Sequence, residues 1–269
     1  MKLSISNIAW EATEMNDHLR LISEYGCDGL ELSPSMVWED PVDVDNGVLL
    51  DFKKNVNSFG LEFSSMHSLT YPRPDLVFFD TQEIRNNLIN YIIDLGKVAN
   101  TLEIPVMVFG SAKSRQINGR NRTECFKIMT DTFGKIAEGL VPLGVKLILE
   151  PLSRQETDSI INTDEAMEII NMVNNSHFAL HIDLKSSFAE GEDLARLWSK
   201  YRSYIKHCHV ANPGLAPPSP DCEQHYEAAK AIKESKYDKY ISLEIGRNFG
   251  NTRKVIKKSL EFVKQVYFL

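Results

Sequence analysis

Short apolar runs alternate with amphipathic stretches from one end of this chain to the other. The short runs have the length of strands, and the longer stretches repeat apolar residues at helical spacing. Such alternation is typical of βα units on a parallel sheet. The predicted strands cover residues 3–8, 28–32, 62–67, 105–109, 145–150, 179–183, 205–210 and 240–245. The predicted helices lie near residues 16–25, 47–59, 82–101, 121–140, 163–174, 190–201, 222–235 and 251–266.

Eight strand–helix pairs are the number that closes a TIM barrel. The helix boundaries support this division, because glycines at positions 26, 60 and 144 end a helix and precede the next strand. Asn162 and Glu165 have the spacing of a capping box at the start of another helix. No shift in composition and no low-complexity linker divides the chain. We therefore predict an α/β fold, with residues 1–269 forming a single (β/α)8 TIM-barrel domain.

Composition narrows the class of function. The net charge is -7 and the pI is near 5.6, which disfavours a nucleic-acid partner and favours a small molecule. No apolar run reaches the length of a membrane span, and the N-terminus does not resemble a signal peptide. The four cysteines show no paired spacing. We expect a cytoplasmic protein without a membrane partner, and the apolar segment 263–269 leaves a homo-oligomer open.

Four residues in the second half of the chain each fall at the C-terminal end of a predicted strand: Glu150, Asp183, His209 and Glu244. They are separated by roughly thirty residues, about one strand–helix unit, so consecutive strands would each contribute one side chain. All strands of a TIM barrel end on the same face. Three carboxylates and an imidazole suit one divalent metal ion, such as Mn2+, Mg2+, Co2+ or Zn2+.

The alternation of side chains along a strand supports this prediction. If the four candidate ligands point into the barrel, so do the residues two positions earlier. Burying three carboxylates together without a cation would cost several kcal/mol or force protonation. The outward set is then almost wholly apolar and suited to packing beneath helices: Leu147, Leu149, Leu180, Ile182, Cys208, Val210, Leu243 and Ile245.

Nearly the whole chain resembles the xylose-isomerase-like barrels of sugar isomerases and epimerases, particularly the tagatose 3-epimerase branch. The motifs that carry the resemblance are Leu149-Glu-Pro-Leu-Ser-Arg154 with Glu156 beyond it, His181-Ile-Asp183, His207-Cys-His-Val210 and Ser242-Leu-Glu244. The resemblance implies that the four residues above hold the metal and that Glu150 and Glu244 are also the catalytic acid and base. It implies a carbohydrate substrate and proton transfer next to a carbonyl, through an enediolate that the metal stabilises.

Three positions depart from the epimerase pattern. Ser186 replaces a histidine, Leu215 replaces an arginine, and Ser153 replaces an asparagine. The first two are substrate-contacting groups in the family, so other activities stay open. One is an inosose-type dehydratase that uses the same metal site, and another is a barrel that binds metal and sugar without catalysis. Endonuclease IV is a more distant resemblance. Its DNA-repair nuclease activity is disfavoured here, because Gly110 and Ser186 occupy positions where that enzyme needs histidine ligands.

Four further residues are candidates for substrate binding: His67, Glu156, Lys185 and Trp10. His67 ends the third predicted strand, and Glu156 matches a family position near the substrate. Lys185 would share the inward face of Asp183 if that strand continued, and could replace the lost cation. Trp10 follows the first strand, where an aromatic face could stack on a sugar. Each also has a structural interpretation: packing for His67 and Trp10, and solvent exposure for Glu156 and Lys185.

Overall fold

The computed structural model describes the whole chain, Met1–Leu269. Eight parallel strands form a closed barrel in sequence order, and β1 closes it by pairing with β8. The prediction of a TIM barrel is confirmed. The strands are β1 Lys2–Ser6, β2 Gly29–Leu32, β3 Glu62–Met66, β4 Val106–Phe109, β5 Lys146–Leu149, β6 Phe178–Asp183, β7 Ile205–Val210 and β8 Tyr240–Leu243.

The structure contains nine α-helices where the sequence pattern predicts eight. The additional helix, Leu184–Glu190, directly follows the sixth strand and was not predicted. Gly191 adopts a left-handed conformation with φ of 63° and ends it, so the helix predicted over 190–201 begins only at Leu194. The helices are α1 Met15–Glu24, α2 Asn46–Ser58, α3 Gln82–Thr101, α4 Arg122–Leu140, α5 Thr163–Val173, α6 Leu184–Glu190, α7 Leu194–Tyr201, α8 Gln224–Glu234 and α9 Thr252–Val263.

The barrel wall separates an apolar exterior from a largely polar interior. All eight side chains predicted to face outward are buried in the main hydrophobic core, between strands and helices. A small interior cluster of Val106, Val108, Ile148 and Ala179 is apolar. The interior also buries serines, histidines and one glutamate, contributed by β1, β2, β3, β6, β7 and β8. Polar side chains thus face the barrel interior along the strands, and not only at the C-terminal ends of the strands.

The C-terminal segment packs on the barrel of its own chain. Residues Lys264–Phe268 form a wide helical turn, and Tyr267 is fully buried while Leu269 is exposed. His225 on α8 joins this turn to the loop after β7, since its Nδ1 lies 2.7 Å from the Tyr267 hydroxyl and its Nε2 lies 2.9 Å from Oδ1 of Asn212. None of the helices has the length and apolar character that crossing a membrane requires.

His225 should make the fold sensitive to acid. Burial lowers its pKa to about 4, whereas an unfolded histidine titrates near 6.5. Between these values the unfolded chain binds a proton that the folded chain does not, so stability falls as the pH falls below about 6.5. We expect His225 to account for roughly 1 to 2 kcal/mol of the loss in unfolding free energy between pH 6.5 and 5. Urea unfolding at both pH values measures it.

His225→Gln is the informative variant, because glutamine can donate and accept hydrogen bonds but does not titrate. It should be less stable than the wild type at neutral pH and should lose less stability on acidification. An identical pH dependence in the two proteins would show that His225 does not carry this effect.

Candidate metal centre

The four predicted metal ligands meet at the C-terminal mouth of the barrel. Asp183 ends β6 and His209 lies within β7, while Glu150 and Glu244 directly follow β5 and β8. Backbone hydrogen bonds hold the last two residues in the barrel wall: the Glu150 amide donates to Phe109 at 3.1 Å and the Glu244 amide donates to Val210 at 3.1 Å. Each ligand is therefore positioned by a strand rather than by a loop.

The donor atoms of these residues converge on one space. Nδ1 of His209 lies 3.3 Å from Oε1 of Glu150 and 3.2 Å from Oε2 of Glu244. Carboxylate oxygens of Glu150, Asp183 and Glu244 lie within 4.8 Å of one another. The buried Nδ1 atom makes no hydrogen bond. Three oxygens and a nitrogen without a partner fit a divalent cation with mixed nitrogen and oxygen ligation.

A buried glutamate beneath this site was missed by sequence reasoning. Glu31 on β2 is 0% exposed, and its Oε1 lies 2.8 Å from Nε2 of His209. The hydroxyls of Ser65 and Ser242 each donate to it at 2.7 Å. The available signal was its place between Leu30 and Leu32, where alternation points an acid into the barrel while both neighbours point outward.

Burial and mutual proximity shift the pKa values of the three acids and of the histidine. Burial raises the pKa of Glu150 and of Asp183 above the ordinary carboxyl value, because the charged forms lose solvation. Burial would also raise the pKa of Glu244, but the facing imidazole of His209 lowers it overall. The pKa of His209 is raised against the effect of burial, because the carboxylates of Glu31 and Glu244 face the ring. The site therefore attracts positive charge.

Lys185 contributes positive charge from a helix rather than from the strand. Helix α6 begins directly after Asp183, whose carboxylate caps it by accepting the Lys185 amide hydrogen at 3.0 Å. Strand β6 therefore does not continue through Lys185, and the solvent-exposed interpretation of this residue is wrong, because Lys185 is buried. The Lys185 ammonium nonetheless reaches the site, 3.0 Å from Oδ2 of Asp183 and 3.0 Å from both carboxylate oxygens of Glu156. The pKa of Lys185 is raised because these acids outweigh its burial.

Two of the three departures from the epimerase pattern contact this cluster. The Ser186 hydroxyl donates to Asp183 at 2.9 Å, and the Ser153 hydroxyl donates to Glu156 at 3.1 Å. The third, Leu215, presents an apolar side chain to the same cavity. The two serines therefore add hydrogen bonds on the side of β5 and β6.

A cavity of about 590 Å3 opens above the candidate metal ligands and is within the size range of small-molecule sites. Among the predicted substrate contacts, His67, Glu156 and Lys185 line it. The imidazole of His67 also connects strands, with Nδ1 3.2 Å from Oε1 of Glu244 and Nε2 2.6 Å from the Ser6 hydroxyl. The structure does not bring Trp10 to the cavity, because its ring is 1% exposed and stacks on His18.

Gly110 and Arg115 support Glu150 from the loop after β4, and neither role was predicted. A Cβ atom at Gly110 would lie 1.6 Å from Oε2 of Glu150, so only glycine leaves room for this carboxylate. Arg115 is fully buried and donates from Nη1 to the Glu150 carbonyl at 2.8 Å. The glycine at the position of an endonuclease IV histidine is thus required here by the packing of the Glu150 side chain.

Comparisons with known proteins agree with this architecture. The sequence profile of the xylose isomerase-like TIM-barrel family matches residues 19–266. No curated protein sequence matches the chain. Among solved structures, D-psicose 3-epimerase from Clostridium cellulolyticum H10, determined with D-tagatose, has a TM-score of 0.83 at 15% identity and covers 99% of both chains.

Two further solved structures show the same barrel. The 3-keto-D-glucoside 4-epimerase of E. coli has a TM-score of 0.80 at 18% identity, covering 98% of this chain and 99% of the other. The IOLI protein with a bound zinc atom has a TM-score of 0.77 at 19% identity, covering 99% of this chain and 98% of the other. At these identities the likeness establishes the fold.

The space at Gly110 leads to a test of the centre. Gly110→Ala should displace the Glu150 carboxylate and weaken the binding of Mn2+ at least about tenfold, the lower limit for disturbing the support of a metal ligand. Isothermal titration calorimetry measures the affinity.

Gly134→Ala is the matched control. Gly134 lies within α4, and no atom lies within 4 Å of a Cβ added there. It should leave Mn2+ affinity unchanged and stabilise the fold by roughly 0.5 to 1 kcal/mol. Wild-type affinity in Gly110→Ala would contradict the packing argument.

Proposed function

Because this chain belongs to the xylose isomerase-like TIM-barrel family, we propose that it is a metal-dependent isomerase or epimerase of sugars or sugar derivatives. The observation that carries the proposal is the convergence of three carboxylates, two buried and one partly buried, with an unpartnered imidazole nitrogen at the base of an open cavity. Glu150, Asp183, His209 and Glu244 would hold one divalent ion. A small carbohydrate would enter from the cavity.

The bound ion would act as a Lewis acid, polarising the substrate carbonyl and stabilising negative charge on the adjacent oxygens. Glu150 and Glu244 both line the cavity and stand on strands separated by β6 and β7. They therefore approach a bound sugar from different sides. One carboxylate would remove the proton from the carbon next to the carbonyl, and the other would return a proton.

The stereochemical result depends on where the proton returns. Return to the opposite face of the same carbon gives an epimer, whereas return to the neighbouring carbon gives an aldose–ketose isomer. His67 lies 3.2 Å from Glu244 and lines the cavity, so it would orient that carboxylate and contact the substrate. Lys185 and Glu156, paired at 3.0 Å, would bind substrate hydroxyls on the side of β5 and β6.

The Lys185 ammonium also favours a second candidate reaction, dehydration at the same site. It lines the cavity beside the candidate metal ligands, so it would hydrogen-bond a departing β-hydroxyl, while the glutamate that does not take the carbon-bound proton would supply the proton that leaves as water. The product distinguishes the two reactions. An unsaturated or deoxy keto product would assign dehydration, and an isomer would assign proton return.

The proposal predicts exchange of a carbon-bound hydrogen with solvent. Mn2+-loaded protein, incubated in D2O with a panel of ketoses, aldoses and cyclitols, should incorporate deuterium next to the carbonyl of its substrate, as followed by NMR. Glu150→Gln and Glu244→Gln should each lower the rate at least about 100-fold, because each removes a proton-transfer group. Bound Mn2+ is measured in parallel at saturating metal.

Glu62→Gln is the control for these variants. Glu62 begins β3, where it bonds Lys2 and Tyr240 far from the cavity, and this variant should retain activity. Full activity in both active-site variants would rule out the mechanism. Absence of exchange with every sugar on the panel would instead favour a barrel that binds without catalysis.

A further inference from the structure

The carboxylate of Glu31 is fully enclosed inside the barrel and saturated with hydrogen bonds. Its Oε1 accepts from the Ser65 hydroxyl and lies 2.8 Å from Nε2 of His209 and 3.2 Å from Nε2 of His207. Its Oε2 accepts from the Ser242 hydroxyl at 2.7 Å. Burying a carboxylate costs several kcal/mol unless its partners replace the lost water. Two serines and two histidines from three strands, β3, β7 and β8, replace the water here.

We propose that Glu31 is a positioning residue for the metal, acting through His209. A carboxylate that takes hydrogen bonds from two serines is an acceptor, so the hydrogen of the His209 ring must lie on Nε2, facing Glu31. The electron pair of the imidazole is then on Nδ1. That atom is the one that faces Glu150 and Glu244. Glu31 thus selects the tautomer that can bind a cation.

The surroundings of the ring prevent the alternative orientation. The ring of His209 lies edge-on to His207 at 5.5 Å and to His181 at 4.1 Å between centroids. Turning the ring over would place a carbon against the carboxylate of Glu31 and leave that charge without one of its donors. Because Ser242 lies two residues before Glu244 on the same run of chain, Glu31 also links the histidine ligand to a carboxylate ligand.

The inference rests on the metal ligands of the proposed function but is independent of the reaction. Its test is therefore metal affinity, measured by calorimetry with Mn2+ and with Co2+. Glu31→Gln keeps the shape and one acceptor oxygen but removes the charge. We expect a loss of affinity of about 10- to 100-fold, together with an altered visible spectrum of bound Co2+. Glu31→Asp, which keeps the charge on a shorter side chain, should recover part of the loss.

Glu192→Gln is the matched control. Glu192 is also a glutamate held by hydroxyls, accepting from Thr163 at 3.0 Å and from Ser187 at 2.9 Å, but it contacts no metal ligand. Its neutralisation should alter the melting temperature of the metal-free protein without altering Mn2+ affinity or the Co2+ spectrum. A purely structural role for Glu31 predicts the same behaviour for Glu31→Gln.

The outcomes separate the two proposals. If the wild type binds Mn2+ and Glu31→Gln binds it equally well, the positioning role is overturned and the metal site stands. If the wild type binds no divalent ion, the metal site is overturned and the positioning role with it. If Glu31→Gln does not fold, Ser65→Ala and Ser242→Ala each remove one hydrogen bond to Glu31 and keep its charge. Each should weaken Mn2+ binding severalfold, and unchanged affinity in both would overturn the role.

Discussion

The concentration of negative charge in the barrel mouth is the constraint on which this site depends. Three carboxylates with oxygens inside 4.8 Å repel one another by roughly 4 kcal/mol per pair at an effective dielectric constant near 20. A fourth carboxylate, Glu31, lies directly below. The protein supplies one permanent side-chain cation in direct contact with these acids, Lys185. A neutral His209 that binds a metal through Nδ1 adds no charge of its own. A divalent ion would therefore offset most of the remaining negative charge.

The candidate metal ligands were predictable because the signals that mark them are local in the sequence. Acids at the ends of apolar strands are visible locally, and alternation decides which side chains share a face. Ile148 packs in the interior cluster while Leu147 and Leu149 pack outside, as the pattern predicts. The barrel follows from repeated strand–helix units. Neither inference needs knowledge of which distant residues meet.

The features that the sequence did not predict depend on contacts between residues that are distant in the sequence. Glu31 contacts Ser65, His209 and Ser242, which are distant in sequence but adjacent once the barrel closes. Gly110 was identified only as a lost histidine, since nothing local indicates that the Glu150 carboxylate occupies its space. The same limit applies to Trp10, whose position after β1 resembled a cavity rim. Its packing against His18 on α1 buries it instead.

The residues proposed to bind the metal lie at the strands, whereas the residues expected to decide substrate specificity lie in the segments that follow the strands. The four candidate metal ligands lie on or directly beside strands, where backbone pairing fixes them. The departures from the epimerase pattern lie just beyond the strands: Ser153 and Ser186 bond acids on the β5 and β6 side, while Leu215 after β7 is apolar. The rest of the cavity lining is mostly polar and includes His67 and Thr70 after β3 and Ser111 and Lys113 after β4. Leu215 is therefore one apolar contact in a polar cavity, and the loop residues rather than the strand ends would decide which carbohydrate fits.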